Sequence, residues 1–265
     1  MGELLTEFRN NWKGCTRCQA GQVRETRSIY KEGHQTIPLP LFGKGKVGGL
    51  FLVGDPVNQG EERDGLFTSD GHRLVLQILG ELIPDRDIPV YVTSATMCRP
   101  CVPRLGADGA PMKSRLGLPV YTDAEPAKEV LDACRERLME EIYAVDPDVV
   151  VALGPMAMRT LTNKYWSETS RGSTYLLEVP GKWVRPRVGS KNVWGRKVHG
   201  QMQYPVDTNM VKYTVFMTGS LRSAVTYSAS KDPHRELPML LKDLKKIVGA
   251  WRYLDQNRRK DDGGC

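Results

Sequence analysis

The sequence lacks an apolar run long enough to cross a bilayer, and it has no internal repeat. Its first residues, MGELLTEFRNNWKGC, also lack the hydrophobic stretch of a signal peptide. We therefore expect a cytoplasmic protein that has no membrane partner. In that reducing compartment the six cysteines are not expected to pair as disulfides.

Short apolar runs alternate with helical patterns along the chain, which is typical of an α/β fold. Four runs are predicted to be buried strands, at residues 50–53, 90–93, 149–153 and 213–217. Helical spacing is found around residues 74–82, around Cys134, after Pro155 and over 237–254. This order predicts a three-layer α/β/α fold with a central four-stranded parallel sheet. We expect one domain over residues 1–265, with insertions at about 101–125 and 179–209 and a disordered tail from about 256.

Acidic residues are scarce in one segment of an already basic chain. The net charge is +7, and between residues 171 and 197 Glu178 is the only acid. Trp183 and Trp194 lie among the cations of this segment, and such a mixture suits a nucleic-acid-binding loop. A solvated basic loop with two packed tryptophans is an equal alternative. The cations predicted to contact DNA are Arg185, Arg187, Lys191, Arg196 and Lys197.

Four of the cysteines are candidate metal ligands. Cys15 and Cys18 form a C-x-x-C pair, whose two thiolates can face one metal centre. Cys98 follows the second predicted strand, and Cys134 lies on the apolar face of a predicted helix. The spacing alone leaves zinc and iron–sulfur chemistry open, and Cys101 competes with Cys98 as a ligand.

Unusual loops follow three of the predicted strands, at residues 54–67, 93–100 and 218–222. The carboxyl ends of parallel strands meet at one edge of a sheet, where ligands bind in folds of this class. We therefore expect the functional site at this edge.

The order of the motifs resembles that of the iron–sulfur uracil-DNA glycosylases, of the fourth and fifth families of that superfamily. In chain order the motifs are C-x-x-C, V-G-D-P followed by acids and a Phe, V-Y-V-T-S-x-x-x-C-R-P, a helical Cys and D-V-V-V-A-L-G. The resemblance covers about residues 10–165 well and about 210–248 loosely. It implies a divergent, monomeric, DNA-binding member of the family. It also implies a 4Fe–4S cluster held by Cys15, Cys18, Cys98 and Cys134.

The resemblance also implies roles for the loop after the first strand. A DNA glycosylase flips its target nucleotide out of the stack and reads the base in a pocket. Asp55 stands where the family has a Glu, and its carboxylate would activate water; a turn-forming Asp before proline is the plain alternative. Glu61 and Glu62 are further acids of this loop. Phe67 falls where the family stacks an aromatic ring on the base, although a core Phe would look the same.

Two positions depart from the family pattern. Ser94 replaces the Asn that reads uracil, and a hydroxyl cannot offer the paired donor and acceptor of an amide. Ser220 stands where the family has the His of H-P-A, which donates to the leaving base. His199 and His234 are alternative donors for that role. Arg222 would enter the duplex as a wedge or pair with a phosphate.

These departures lead us to expect a DNA glycosylase that excises a modified pyrimidine, such as a hypermodified phage base, in antiviral defence. One alternative is a uracil-DNA glycosylase of base-excision repair that has a divergent site. Another is a non-catalytic, DNA-binding iron–sulfur protein, and a zinc protein unrelated to the glycosylases is the last.

Overall fold

The computed structural model describes residues 8, 11–12, 15–26, 40–42, 49–64, 69–84, 88–163, 171–180, 196–198, 201–203, 210–219 and 233–262. In chain order the elements are α1 (Gln19–Thr26), β1 (Pro40–Phe42), β2 (Leu50–Gly54), α2 (Gln59–Asp64), α3 (Asp70–Leu82), β3 (Val90–Ser94), β4 (Cys101–Pro103), β5 (Tyr121–Asp123), α4 (Lys128–Val145), β6 (Val149–Leu153), α5 (Pro155–Thr162), β7 (Thr174–Pro180), β8 (Arg196–Val198), β9 (Gln201–Gln203), β10 (Met210–Thr218) and α6 (Pro233–Asp262).

The main sheet has six strands in the order β1-β3-β2-β6-β10-β7. Its four inner strands, β3, β2, β6 and β10, pair in parallel and are the four predicted strands. β1 and β7 add an antiparallel strand at each edge. The predicted parallel sheet is confirmed, and the edge strands extend it.

Helices cover both faces of this sheet, as the three-layer prediction requires. Alternate strand residues divide between two hydrophobic clusters because successive side chains point to opposite faces. Phe51 and Val53 pack with α4 and α5 on one face, whereas Leu50 and Leu52 pack with α3 and α6 on the other. Every residue of β2, β3 and β6 is buried, which explains their unbroken apolar runs.

Two strand pairs of the described chain lie outside the main sheet, in the segments that we predict to be insertions. Residues between β3 and α4 include the β4–β5 pair. Between β7 and β10 lies the β8–β9 hairpin. The last helix continues to Asp262, so helical structure covers the start of the tail that we expected to be disordered from about residue 256.

Gly49 determines how the chain enters β2. Its φ of +97° lies in the left-handed region, and a Cβ there would stand 2.2 Å from the carbonyl oxygen of Pro89. Asp148 Oδ2 accepts the Gly49 N–H at 2.8 Å and the Trp251 indole N–H at 2.7 Å. The Asp148 carboxylate thus joins the start of β2 to α6.

We expect Gly49→Ala to lower the free energy of unfolding by about 2 kcal/mol or more, because the side chain adds a clash to a strained φ. Gly80 is the matched control, since a Cβ at this exposed position in α3 meets nothing within 4 Å. Gly80→Ala should instead stabilise the protein by about 0.5–1 kcal/mol. Denaturant unfolding of both variants measures the difference, and equal midpoints would contradict this account of Gly49.

Candidate functional site

The carboxyl ends of the four parallel strands lie side by side at one edge of the sheet. Gly54 of β2 is in register with Ser94 of β3, and Leu153 of β6 is in register with Thr218 of β10. The Ala95 N–H donates to the Gly54 carbonyl at 2.9 Å, which continues the pairing past the strands. The loops after these strands therefore begin from a common edge.

Asp55 directly follows β2 and is partly buried. Its backbone carbonyl accepts the Ser94 hydroxyl at 2.5 Å. Its carboxylate lies against Gly154, where a Cβ would stand 2.8 Å from Asp55 Oδ1. Gly154 has a φ of +101°, so this glycine both turns the chain after β6 and leaves room for the carboxylate. Gly154 is the last residue of the D-V-V-V-A-L-G motif, and its place between a strand and Pro155 is a sequence signal for a tight turn.

Ser94 links two of the strand-end loops. Its side chain is buried and donates to Asp55, while its carbonyl oxygen accepts Arg137 Nη2–H at 2.6 Å. In this arrangement the hydroxyl holds the backbone at Asp55. The role in base recognition predicted for Ser94 stays a prediction.

Glu61 belongs to a buried polar group on the same loop. Its Oε1 lies 2.6 Å from His72 Nδ1, and its Oε2 accepts the Asn58 amide at 3.2 Å. Ser69 Oγ is 2.8 Å from the same His72 nitrogen. Both Glu61 and His72 are almost fully buried. Their contact connects α2 to α3. His72 lies two residues before the predicted helical spacing at 74–82 and is not among the predicted site residues.

Several predicted site residues fall outside the part of the chain that can be described in full. Phe67, Ser220, Arg222, Arg185, Arg187, Lys191 and His199 lie outside the described residues. For Glu62, Arg196, Lys197 and His234 the structure describes only the backbone, in α2, β8 and α6.

Arg99 of the C-R-P motif anchors the first insertion to the strand-end edge. Its buried guanidinium pairs with Asp123 Oδ1 and donates to the Tyr121 carbonyl at 3.3 Å. Asp123 Oδ2 also lies 3.5 Å from the Gln59 N–H at the start of α2. A single carboxylate therefore connects the second strand-end loop, the insertion and the loop that follows Asp55.

A second buried arginine lies beneath β3. Arg137 Nη1 donates to Glu141 Oε2 and, at 3.2 Å, to Thr93 Oγ1. The Thr93 hydroxyl donates to the same Glu141 oxygen at 3.0 Å. Burial raises the pKa of Glu141, while Arg137 and the Thr93 hydrogen bond act in the opposite direction. Arg137 also donates to the Ser94 carbonyl. Its contacts with Thr93 and Ser94 therefore hold the end of β3 against α4.

The four candidate cysteines gather beside this group. Cys18 packs on a small cluster that contains Cys98 and Val130. The pKa of the Cys134 thiol is raised to about 11, chiefly by burial and in part by negative charge on Cys18 and Cys15, while Arg137 and the Met97 N–H act in the opposite direction. Charge effects of this kind require the thiols to be near one another. The donor set and its clustering therefore fit an iron–sulfur cluster.

Over the residues that the structure describes, no group of three or more His, Cys, Asp or Glu side chains is arranged to hold one ion. In a 4Fe–4S cluster each cysteine binds a different iron atom, so the sulfurs stand further apart than around one ion. The absence of such a group among the described residues therefore applies to a site for a single metal ion.

The cysteine pair is held against α4 by its own neighbours. The Trp12 indole N–H donates to Glu140 Oε2, and Asn11 donates to Oε1 of the same residue at 2.9 Å. Arg17, inside the C-x-x-C pair, forms a salt bridge of 2.9 Å with Glu136 and stacks over the Trp12 ring at 4.3 Å. These contacts bring Cys15 and Cys18 to the helix that carries Cys134.

None of the helices within the described ranges combines the length and apolarity needed to cross a membrane.

Comparison with known proteins gives one assignment. The model of the uracil DNA glycosylase superfamily matches residues 48–245, which is well over half of the 265-residue chain. A search of curated proteins found no match. The matched region spans the whole parallel sheet and the loops at its carboxyl edge. Members of this superfamily are DNA glycosylases, hydrolases that act on DNA. The chain belongs to the uracil DNA glycosylase superfamily.

Proposed function

We propose that the protein is a DNA glycosylase that excises a modified pyrimidine and leaves an abasic site. The observation that carries this proposal is the superfamily match, together with the Asp55 carboxylate at the carboxyl edge of the matched sheet. The basic chain, with a net charge of +7, suits a partner with a phosphate backbone. We propose that it acts on DNA as a monomer.

Asp55 is the proposed catalytic carboxylate. Water adds to C1′ of the sugar as the N-glycosidic bond breaks, and Asp55 accepts the proton that the water loses. The departing base takes the bonding electron pair and is stabilised by a hydrogen-bond donor, for which we propose Ser220. Phe67 would stack on the flipped base, and Arg222 and the cations of the second insertion would contact the DNA.

The substrate class is proposed from Ser94. A uracil-specific pocket needs a donor and an acceptor together, and an amide side chain supplies both. Here the residue in that position is a buried serine whose hydroxyl donates to the Asp55 backbone. A pocket without the amide is larger and less selective for uracil, which favours a bulkier pyrimidine. Phage DNA contains such hypermodified bases, so antiviral defence is the biological role that we propose.

We further propose that the protein is a divergent iron–sulfur member of its superfamily. Cys15, Cys18, Cys98 and Cys134 would hold a 4Fe–4S cluster, whose role here is to connect the N-terminal segment to α4. The cluster takes no part in the reaction. A brown protein that contains iron and acid-labile sulfide would support this proposal, and a colourless protein that contains one zinc would contradict it.

The activity is tested by incubating the protein with unmodified, uracil-containing and phage-modified DNA and counting aldehyde-reactive abasic sites. Abasic sites confined to phage-modified DNA are the expected result. Release of uracil alone would instead support base-excision repair. DNA binding without abasic sites on any substrate would support a non-catalytic DNA-binding protein.

Ser94→Asn tests the basis of substrate choice. The amide restores a paired donor and acceptor, so we expect uracil excision to rise by about tenfold or more relative to excision of the modified base. Ser94→Ala is the control, because it removes the hydroxyl without adding an amide. If Ser94→Asn leaves the ratio of the two rates unchanged, Ser94 does not set specificity.

A further inference from the structure

Arg171 lies just before β7, next to the point where β10 ends. Its Nε donates to Asp243 Oδ2 on α6 at 3.2 Å, and both side chains are only 10% exposed. The Gly172 N–H donates to the Met217 carbonyl at 2.8 Å, and the Met217 N–H donates to the Ser173 carbonyl at 3.1 Å. Backbone pairing and an ion pair therefore fix Arg171 beside the carboxyl end of β10.

The guanidinium of Arg171 rests on Gly219, the first residue after β10. A Cβ on this glycine would stand 2.8 Å from Arg171 Nη1, 2.9 Å from Cζ and 3.3 Å from Nε. Three atoms of the guanidinium thus occupy the space that a side chain would fill, so the glycine lets the cation lie against the backbone. Ser220, which is proposed above to meet the departing base, follows directly in the chain.

Asp243 orients this cation. Its carboxylate binds Nε, while Nη1 is the guanidinium nitrogen nearest to Gly219. Gly172, with a φ of +68°, brings the chain close to the same carboxylate, since a Cβ there would stand 3.2 Å from Asp243 Oδ1. The ion pair is therefore an oriented dipole whose positive end lies at the end of β10. A fixed dipole of this kind stabilises a developing charge without having to reorganise during the reaction.

The same edge of the sheet carries the opposite charge one strand away. The Asp55 carboxylate lies against Gly154, directly after β6, and the guanidinium lies against Gly219, directly after β10. Leu153 and Thr218, the residues before these two glycines, are register partners. Adjacent strands are about 4.8 Å apart, which places the carboxylate and the guanidinium on the order of 10 Å apart. Inverting glycosidases separate their two catalytic groups by about 6.5–9.5 Å, which leaves room for the sugar and a water molecule.

We propose that Arg171 supplies the positive charge that stabilises the base as it leaves. When the N-glycosidic bond breaks, its electron pair goes to N1 of the pyrimidine, and the negative charge spreads to the carbonyl oxygens of the base. The attacking water bonds to C1′ and gives its proton to Asp55. Ser220 has a neutral hydroxyl, so the cation at the preceding glycine provides the charge that this hydroxyl lacks. The inference rests on the proposed function, because it requires a base that departs as an anion.

Three variants alter this charge in different ways. Arg171→Gln removes it, and Arg171→Lys keeps it without the planar guanidinium. Gly219→Ala keeps the arginine but displaces it, because the new methyl group meets the flexible end of that side chain. Two changes in α6 are the matched controls: Lys245→Gln removes an exposed cation, and Gly249→Ala adds a methyl group that meets nothing within 4 Å. Melting temperatures verify that each variant retains the fold.

Leaving bases of similar size and different acidity test the role of the charge. Single-turnover excision is measured on duplex DNA for two pairs, 5-hydroxymethyluracil with 5-formyluracil and uracil with 5-fluorouracil, in which the second base is the stronger N1 acid. Arg171→Gln should slow excision of the weaker acid by about 100-fold and that of the stronger acid by about tenfold, because a more stable anion needs less help. Arg171→Lys and Gly219→Ala should lie between this variant and the wild type, and both controls should match the wild type. Equal losses within each pair would make Arg171 merely structural and overturn the proposal.

A binding experiment tests the same charge without excision. Free 5-fluorouracil is titrated into the complex of the protein with duplex DNA that contains a stable abasic analogue, over the pH range in which this base ionises. The wild type should bind the base more tightly as the anion forms, and Arg171→Gln should lose that increase. An affinity of the wild type that does not change with pH would contradict the proposal.

The two experiments distinguish this inference from the proposed activity. Binding of the anion through Arg171, with no excision of any base, refutes the glycosylase activity and retains the role of the charge. Excision with equal losses within each pair of bases refutes the role of the charge alone. A wild type that neither excises a base nor binds the anion overturns both.

Discussion

Replacing Asp55 by asparagine is expected to lower the single-turnover rate of base excision by about 100- to 10,000-fold, the usual contribution of a positioned general base. Asparagine has nearly the same size, so the contact with Gly154 and the hydrogen bond from Ser94 to the backbone carbonyl remain. Only the ability to accept a proton from water is lost. Binding to substrate DNA should therefore stay within about twofold of the wild type, since no phosphate contact changes.

Glu62→Gln is the matched control for this experiment, because Glu62 is an alternative acid of the same loop. We expect it to keep the wild-type rate of excision. Asp55→Glu is informative as well, since it restores the carboxylate that the family has at this position on a longer arm. Its extra methylene must fit beside Gly154, so we expect an intermediate rate. Full activity in Asp55→Asn, with activity lost in Glu62→Gln, would move the catalytic role to Glu62.

The second large effect is a loss of stability, expected when the buried ion pair of Arg137 and Glu141 is broken. Arg137→Met should lower the free energy of unfolding by about 3–5 kcal/mol, because the Glu141 carboxylate is left buried without its cation. Thr93 Oγ1 and the Ser94 carbonyl lose a donor in the same step. Lys128→Met is the control, since Lys128 is an exposed cation of the same helix. Its effect should stay within about 0.5 kcal/mol, the usual range for surface changes.

Removing both charges should recover most of that loss. Among the described residues, Arg137 Nε and Glu141 Oε1 have no hydrogen-bond partner, so desolvation of this pair is incompletely offset. We therefore expect Arg137→Met/Glu141→Leu to be much more stable than Arg137→Met, with a coupling energy of about 2–3 kcal/mol in a double-mutant cycle. Denaturant unfolding and iron content are measured for each variant. Additive effects of the two substitutions would show that the pair does not act as a unit.

The double variant also distinguishes an effect of Arg137 on the stability of the protein from an effect on the position of Asp55. Arg137 holds the Ser94 carbonyl, and Ser94 in turn holds Asp55. If this chain of contacts positions the proposed carboxylate, the double variant should regain stability while excising bases more slowly than the wild type. Recovery of both stability and excision would confine Arg137 to a structural role.

Much of the fold could be predicted from the chain because its central strands are buried on both faces. Burial of that kind requires unbroken apolar runs, and residues 50–53 and 149–153 show them plainly. β1 and β7 were not predicted. An edge strand has one free side and a mixed pattern, as in the alternately exposed and buried residues of β7, so its pairing depends on a neighbour distant in sequence.

The candidate site was predictable in part for a related reason. Asp55 and Ser94 directly follow buried runs, and parallel pairing brings such positions to one edge whatever the intervening loops contain. The buried partners behind them were not predictable. Glu61, Arg99 and Arg137 are charged residues of the kind that usually face solvent, and only their tertiary partners allow burial.

The sequence by itself determined the parallel α/β core and the position of Asp55 at its carboxyl edge, and it singled out four cysteines as candidate metal ligands. Hydrophobic spacing and residue chemistry are local properties, so they can be recognised along the chain. The tertiary structure decided how these parts are connected. It placed Gly154 against the Asp55 carboxylate, Arg137 against the Ser94 carbonyl at the end of β3, and Asp123 of the first insertion beside the Gln59 N–H of the loop that follows Asp55. Such contacts join residues far apart in sequence, and no local pattern encodes them.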